Sequence, residues 1–221
     1  MNRKALIAEF IGTFALIFIG VGAIAADYML GGKSGLVGIA LAHGLTIAVM
    51  ISATMTISGG HLNPAVTVGA LVAKKISFGN AVGYVIAQCL GAIVAAFVIK
   101  LAMPVDTLAA VSLGTPAVGK DATVIQALVT EIVLTFFLMF VVYGTAIDKR
   151  APRVGGLFIG LTVALDILMG GPISGAAMNP ARHLGPALIG GMTENWWLYW
   201  VGPILGSSFA ALTYHLTLEE R

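Results

Sequence analysis

Long apolar runs dominate the chain and are separated by short polar connections. A helix needs about 20 apolar residues to cross a hydrocarbon core roughly 30 Å thick. Runs of this length predict six transmembrane helices, at about 5–26, 36–57, 81–102, 123–146, 155–172 and 196–217. The pattern therefore predicts an all-α membrane protein, and it leaves no connection long enough for a soluble domain.

Two polar stretches interrupt this pattern, and each has Asn-Pro-Ala at its centre. They span 58–69 and 174–185, with the boxes at 63–65 and 179–181. Asn is a strong helix N-cap and Pro is favoured at the first helical position, so each box predicts a helix start. About ten residues of helix follow, or roughly 15 Å, which is half a membrane. One such box could be an ordinary turn, but two matching boxes predict two re-entrant half-helices.

The two halves of the chain repeat the same landmarks in the same order. Glu9 and Glu131 each begin an E-x-x-x-T-F pattern, and the two Asn-Pro-Ala boxes lie 116 residues apart. Each half holds three predicted spans, so the second half must insert upside down relative to the first. We predict inverted repeats at 1–115 and 116–221, an arrangement typical of channels and transporters whose site lies where the halves meet.

Composition and charge agree with a membrane protein. The chain is 58% hydrophobic and 10% charged, whereas soluble domains carry about 25% charged residues. A formal charge of +2 without a basic tract argues against a nucleic-acid partner. If the spans alternate, one side holds most of the basic residues, and the positive-inside rule then predicts that both termini are cytoplasmic. These residues are Arg3, Lys4, Lys74, Lys75, Lys149, Arg150, Arg153 and Arg221.

The predicted loops place helix N-termini and polar side chains at the membrane centre. Two helix N-termini that point inward raise a barrier to cations. If Asn63 and Asn179 cap their helices through their side-chain oxygens, their amide N–H groups can only donate to the lumen, which breaks a proton-conducting chain. Glu9 and Glu131, acids inside spans, are expected to accept loop N–H groups, and His61 to orient the first loop. The lumen residues suggest no nucleophile–base pair and no metal cluster, so we predict neither an enzyme nor a cofactor.

These features resemble the aquaporin (major intrinsic protein) family along the whole chain, and the two Asn-Pro-Ala boxes are highly specific to it. The resemblance implies a passive channel for water and small neutral solutes, with one pore per subunit and a homotetramer in the lipid bilayer. It also implies that Asn63 and Asn179 are the central donors in the pore, and that Arg182 is the arginine of an outer constriction.

Alignment with that family places its selectivity filter at His43, Ile167, Ala176 and Arg182. Strictly water-selective members commonly have Phe and His at the first two positions, whereas His and Ile are similar to plant tonoplast (vacuolar) aquaporins. This likeness implies a wider, more apolar aperture that passes ammonia beside water. A glycerol facilitator is the alternative, although such proteins have a bulky aromatic at the first position and Asp where this chain has His183.

Two residues beside the filter depart from the family pattern. His183 replaces a small polar residue, and Asp166 precedes Ile167 in a span. Since consecutive helical residues lie about 100° apart, Asp166 is expected to face other helices rather than the lumen. We expect it to be protonated or paired with a base such as His183. A secondary transporter is a further alternative, because transporters also use inverted repeats, but the predicted lumen lacks the unpaired acid that ion coupling needs.

Overall fold

The computed structural model describes residues 2–152 and 154–220, and six long helices dominate it. They are α1 (Arg3–Met29), α2 (Gly35–Ser58), α4 (Phe78–Ala102), α6 (Val124–Val142), α7 (Gly155–Ser174) and α9 (Leu198–Thr217). They confirm the six predicted spans. All but α9 are strongly apolar over a membrane-spanning length, and α6 reaches that length with its π-helical continuation Tyr143–Ile147. Arg153 and Arg221, which the charge pattern included, lie outside the described residues.

The described residues also contain three shorter α-helices, α3 (Pro64–Val72), α5 (Val105–Ala110) and α8 (Pro180–Gly190), and a short 3₁₀ helix at Ser112–Gly114. Both half-helices begin at the proline of an Asn-Pro-Ala box, as predicted. Oδ1 of Asn63 accepts the backbone N–H of Ala65 at 2.8 Å, and Oδ1 of Asn179 accepts that of Ala181 at 3.0 Å. Each asparagine is therefore the N-cap of its own half-helix.

The two halves of the chain pack against each other through several helix pairs. The half-helix α3 packs on α9 and α8 packs on α4, so each half-helix rests on the opposite half of the chain. Between α2 and α7 the backbones approach closely, because a Cβ added at Gly160 would lie 2.2 Å from the Gly44 carbonyl oxygen. Small residues at such crossings let membrane helices pack without a hydrophobic driving force.

A polar cluster fastens the segment after α9 to the neighbouring helix ends. The carboxylate of Glu219 lies 2.5 Å from Nζ of Lys75, accepts the Tyr143 hydroxyl at 2.8 Å and contacts Nδ1 of His215 at 2.6 Å. These groups, led by the hydrogen bond from Lys75, lower the pKa of Glu219 to about 2. A lowered pKa means that the folded state favours the charged carboxylate, so Glu219 stabilises the fold while it is ionised.

Replacing Glu219 with Gln is expected to lower the melting temperature at pH 7 by roughly 2 °C, as for a partly exposed ion-pair cluster in a chain of this size. The stabilisation is complete above the unfolded-state pKa of about 4.5 and is lost as the pH falls towards 2. Thermal unfolding of the detergent-solubilised protein from pH 7 to pH 3 should therefore show the wild-type and variant curves converging. A difference that stays constant over that range would contradict the role given to this carboxylate.

Candidate functional site

A chain of three cavities crosses the structure between its halves. The central cavity is bordered by Asn63 and Asn179. On one side it shares lining residues with a cavity that reaches Lys75, and on the other with a cavity that reaches Thr115. We call these the far cavity and the filter-side cavity. Each neighbouring cavity shares four lining residues with the central one, so together they form a candidate pore whose middle cavity contains both asparagines.

Four residues border both the central cavity and the filter-side cavity, and they are the four that alignment assigned to the filter. These shared residues are His43, Ile167, Ala176 and Arg182. Three of the side chains project from different elements, namely α2, α7 and α8, while Ala176 lies in the loop before α8 at a φ of 44°. The structure thus brings the four sequence-predicted filter residues together where these two cavities meet.

The central asparagines also hold the two loops together. Nδ2 of Asn63 donates to the Met178 carbonyl at 2.8 Å, and Nδ2 of Asn179 donates to the Leu62 carbonyl at 3.0 Å. The sequence-based expectation that the amide N–H groups can donate only to the lumen was therefore wrong for one N–H of each residue. An amide has two N–H groups, so one remains at each asparagine for the central cavity.

Glu9 supports the first loop from inside α1. Its carboxylate accepts the Ser58 hydroxyl at 2.6 Å and the backbone N–H groups of His61 and Leu62 at 3.0 and 2.6 Å. Gln88 donates a further hydrogen bond at 2.7 Å. The buried acid is therefore satisfied by donors from the loop, from Ser58 and from α4, and it holds the loop that precedes Asn63.

Glu131 supports the second loop in the same way. It accepts the Ser174 hydroxyl at 2.7 Å and the backbone N–H groups of Ala177 and Met178 at 2.9 and 2.7 Å. Leu62 in the first loop and Met178 in the second each donate the later of the two backbone N–H groups, and their φ values are 49° and 51°. This left-handed backbone is uncommon outside glycine, and these residues supply the carbonyls that the opposite asparagines use. Sequence analysis missed Ser58 and Ser174, although they occupy matching positions in the two interrupting stretches.

Arg182 is held by a loop that sequence analysis did not connect with the pore. Its Nη1 donates to the Gly114 carbonyl at 2.8 Å, and the residue is 5% exposed. Gly114 has a φ of 61°, in the left-handed region that glycine adopts without strain. No residue pattern around Gly114 signals this role, because the contact depends on how the connection between α5 and α6 folds back over the filter.

His43 has a defined tautomer when it is neutral. Nδ1 lies 2.9 Å from the Ile39 carbonyl, which can only accept, so Nδ1 carries the proton. Nε2 is buried and has no hydrogen-bond partner among the described residues. A neutral His43 therefore presents no N–H group to the lumen.

His61 borders the lumen as well as contacting its loop. Nδ1 lies 3.1 Å from the Thr67 hydroxyl, and the ring packs edge-on against Tyr84 with 5.2 Å between centroids. The residue lines both the central cavity and the far cavity. His61 therefore forms part of the wall of the candidate pore, whereas we predicted only that it orients the loop.

Asp166 and His183 do not form the ion pair that we considered. Asp166 is 6% exposed, is not among the residues lining the central cavity, and its Oδ2 has no partner among the described residues. His183 instead stacks on Tyr199, with 4.2 Å between ring centroids, and both of its ring nitrogens also lack described partners. Asp166 lies on α7 and His183 on α8, and no hydrogen bond joins the two side chains in the described part of the chain.

Replacing Asp166 with Leu is expected to preserve water flux and to stabilise the protein by about 1–3 kcal/mol, the cost of a buried polar group without a partner. The isosteric Asp166→Asn variant keeps a polar group in the same place and serves as the matched control. Thermal unfolding and vesicle shrinkage of all three proteins measure this. A loss of stability in the leucine variant alone would show that Asp166 has a partner whose removal is costly.

The chain is similar to known proteins both in sequence and in structure. The sequence pattern of the family described as Major intrinsic protein matches residues 1–214. The chain is 43% identical to "Aquaporin TIP4-4" of Zea mays, over 96% of this chain and 85% of that protein. It is also 43% identical to "Probable aquaporin TIP3-2" of Arabidopsis thaliana, over 96% of this chain and 82% of that protein. Among solved structures, the aquaglyceroporin from Plasmodium falciparum superposes with a TM-score of 0.86 at 25% identity, covering 99% of this chain and 97% of that one.

Proposed function

The chain belongs to the major intrinsic protein family and is a multi-pass membrane channel for water, not an enzyme; from this premise we propose that it also conducts ammonia and excludes protons and ions. One observation carries the proposal. The central and filter-side cavities share His43, Ile167, Ala176 and Arg182, which supports a route for the permeant past these four residues.

The donors among these four residues favour ammonia more than a filter with a histidine at the second position would. The neutral tautomer of His43 and the alkyl side chain of Ile167 present no N–H group, which leaves Arg182 as the donor side chain of the filter. Ammonia has one lone pair and three hydrogens, so it can accept only one hydrogen bond, whereas water can accept two. A single donor therefore satisfies ammonia, while a ring of donors would favour water.

Exclusion of ions is proposed to act at two levels of the pore. Arg182 stays charged under all physiological conditions and repels ammonium and other cations at the filter. Deeper in, the N-termini of α3 and α8 carry partial positive charges, and Asn63 and Asn179 each keep one N–H for the lumen. Water that accepts from both asparagines cannot pass a proton along a continuous donor chain.

A glycerol facilitator is the second candidate function, because Ile167 and Ala176 leave an aperture without bulky aromatic side chains at those two positions. We propose that glycerol passes more slowly than water or ammonia. Shrinkage of proteoliposomes in sucrose, glycerol, urea and ammonium salts distinguishes a water and ammonia channel from a glycerol facilitator and from a transporter. We expect fast water flux, fast ammonia entry and slow glycerol entry, each without dependence on a proton or sodium gradient. Glycerol entry as fast as ammonia entry would favour the facilitator, and flux that follows an ion gradient would favour a transporter.

Orientation, repeats and assembly complete the proposal. We place both termini in the cytoplasm, on the basis of the basic residues near them, and we keep the division into inverted repeats at 1–115 and 116–221. Matching hydrogen bonds of Glu9 and Glu131 support that division. A homotetramer is proposed from the family relationship. The mass of the detergent-solubilised protein tests its assembly. Labelling of a cysteine added at the C-terminus of the protein, in sealed vesicles, tests its orientation.

A further inference from the structure

We infer that Gly20 is a fifth position of the filter. Because it has no side chain, the His43 imidazole can pack against α1 and stay out of the lumen. Gly20 is buried in α1, the helix that contributes none of the four aligned filter residues. The inference rests on the assignment of His43 to the filter and goes beyond it, because it names the residue that sets the position of that ring.

The first support is the packing of the His43 ring tip against Gly20. A Cβ added at Gly20 would lie 2.4 Å from Nε2, 2.6 Å from Cδ2 and 2.9 Å from Cε1 of His43. Carbon atoms and nitrogen atoms that are not bonded do not approach this closely, so any side chain at position 20 must displace the ring. The atoms in the way are the far end of a rotatable side chain, which can move without disturbing the helix backbone.

The second support is the position of Gly20 along the pore. Leu16, one turn earlier on α1, lines the central cavity, and Ile24, one turn later, lines the filter-side cavity. Residues four apart share one face of a helix, so Gly20 lies on the pore-facing stripe between these two bulky side chains. Its level is that of the constriction, which is where the His43 ring occupies the vacant space.

The consequence for the aperture follows from what surrounds the ring. His43 borders open space in both the central and the filter-side cavities. A ring pushed off Gly20 has the lumen as its free volume, and it also loses the 2.9 Å contact from Nδ1 to the Ile39 carbonyl. Gly20 is therefore a positioning residue: it keeps the imidazole against α1, with Nδ1 bonded to its own helix, and so holds the filter open.

The test compares Gly20→Ala with Gly22→Ala in the same helix. A Cβ at Gly22 would meet only the Met103 methyl carbon, at 4.0 Å, so that variant is the matched control for helix propensity and folding. Water permeability per channel is measured by stopped-flow shrinkage of proteoliposomes, normalised to protein content. We expect Gly20→Ala to reduce it by about tenfold, as a barrier in the pore would, while Gly22→Ala stays near wild type.

A second variant distinguishes a blocked pore from a damaged fold. Removing the displaced ring in Gly20→Ala/His43→Ala should restore water permeability to the level of His43→Ala alone. Equal flux in Gly20→Ala and Gly22→Ala, or a loss that persists in the double variant, would overturn the inference. If His43→Ala leaves both water flux and solute selectivity unchanged, the filter assignment itself fails, and that outcome is separable because it does not involve position 20.

Discussion

Replacing both Asn63 and Asn179 with alanine is expected to make the channel leak protons, raising proton permeability by about tenfold or more, and to reduce water flux. Each replacement removes the second amide N–H, which we propose orients water in the lumen, and also the hydrogen bond to the opposite loop at 2.8 or 3.0 Å. Loss of two helix caps should also lower stability by about 1 kcal/mol each. Vesicles loaded with a pH-sensitive dye report the leak directly.

The matched control for this variant replaces both asparagines with serine. Serine is also a strong N-cap, so it should recover most of the lost stability, but its short hydroxyl cannot span to the opposite loop as the amide does. We therefore expect a protein close to wild type in melting temperature that still leaks protons. A correctly assembled alanine variant with unchanged water flux and unchanged proton exclusion would remove the asparagines from the mechanism.

Exchanging the first two filter residues, as His43→Phe with Ile167→His, is expected to abolish ammonia conduction while water flux stays within a few fold of wild type. The exchange narrows the constriction and adds a histidine donor opposite Arg182, which satisfies water better than ammonia. Ammonia entry should fall at least about tenfold, to the rate of protein-free vesicles. The measurement is the alkalinisation of the vesicle interior after an ammonium pulse.

Ile167→Val is the conservative partner of that exchange, because it keeps an apolar β-branched side chain and removes one methylene group. We expect this variant to retain both water and ammonia flux. If it does, the loss of ammonia flux in the exchanged filter comes from the changed polarity and width and not from the mere replacement of residue 167. Ammonia entry that survives the exchange unchanged would contradict the role proposed for the filter.

The sequence predicts those parts of the fold that depend on local pattern. Apolar runs of membrane-spanning length located all six long helices, and Asn-Pro located the starts of α3 and α8 at Pro64 and Pro180. A helix start is a local event, because the capping side chain and the first turn lie within four residues. The two buried glutamates were also visible as costly acids inside spans.

The contacts that the sequence did not predict join residues far apart along the chain. The Gly114 carbonyl reaches Arg182 only after an irregular connection folds over the filter, and the vacancy at Gly20 matters only because His43 from another helix occupies it. The cross-loop bonds of the asparagines likewise depend on the close approach of two half-helices. A hydrophobic pattern specifies which face of a helix is buried, but not which atom lies opposite it.

Ammonia entry measured over a range of external pH tests the central claim most directly. Proteoliposomes receive a fixed total ammonium concentration at pH values from 6 to 9, and the rate of internal alkalinisation is compared with that of protein-free vesicles and with water flux through the same preparation. A channel that passes neutral ammonia and rejects ammonium gives a channel-dependent rate that rises in proportion to the neutral fraction, with no electrical current. A rate that follows the ammonium ion instead, or one that equals the protein-free rate while water flux is fast, would contradict the account.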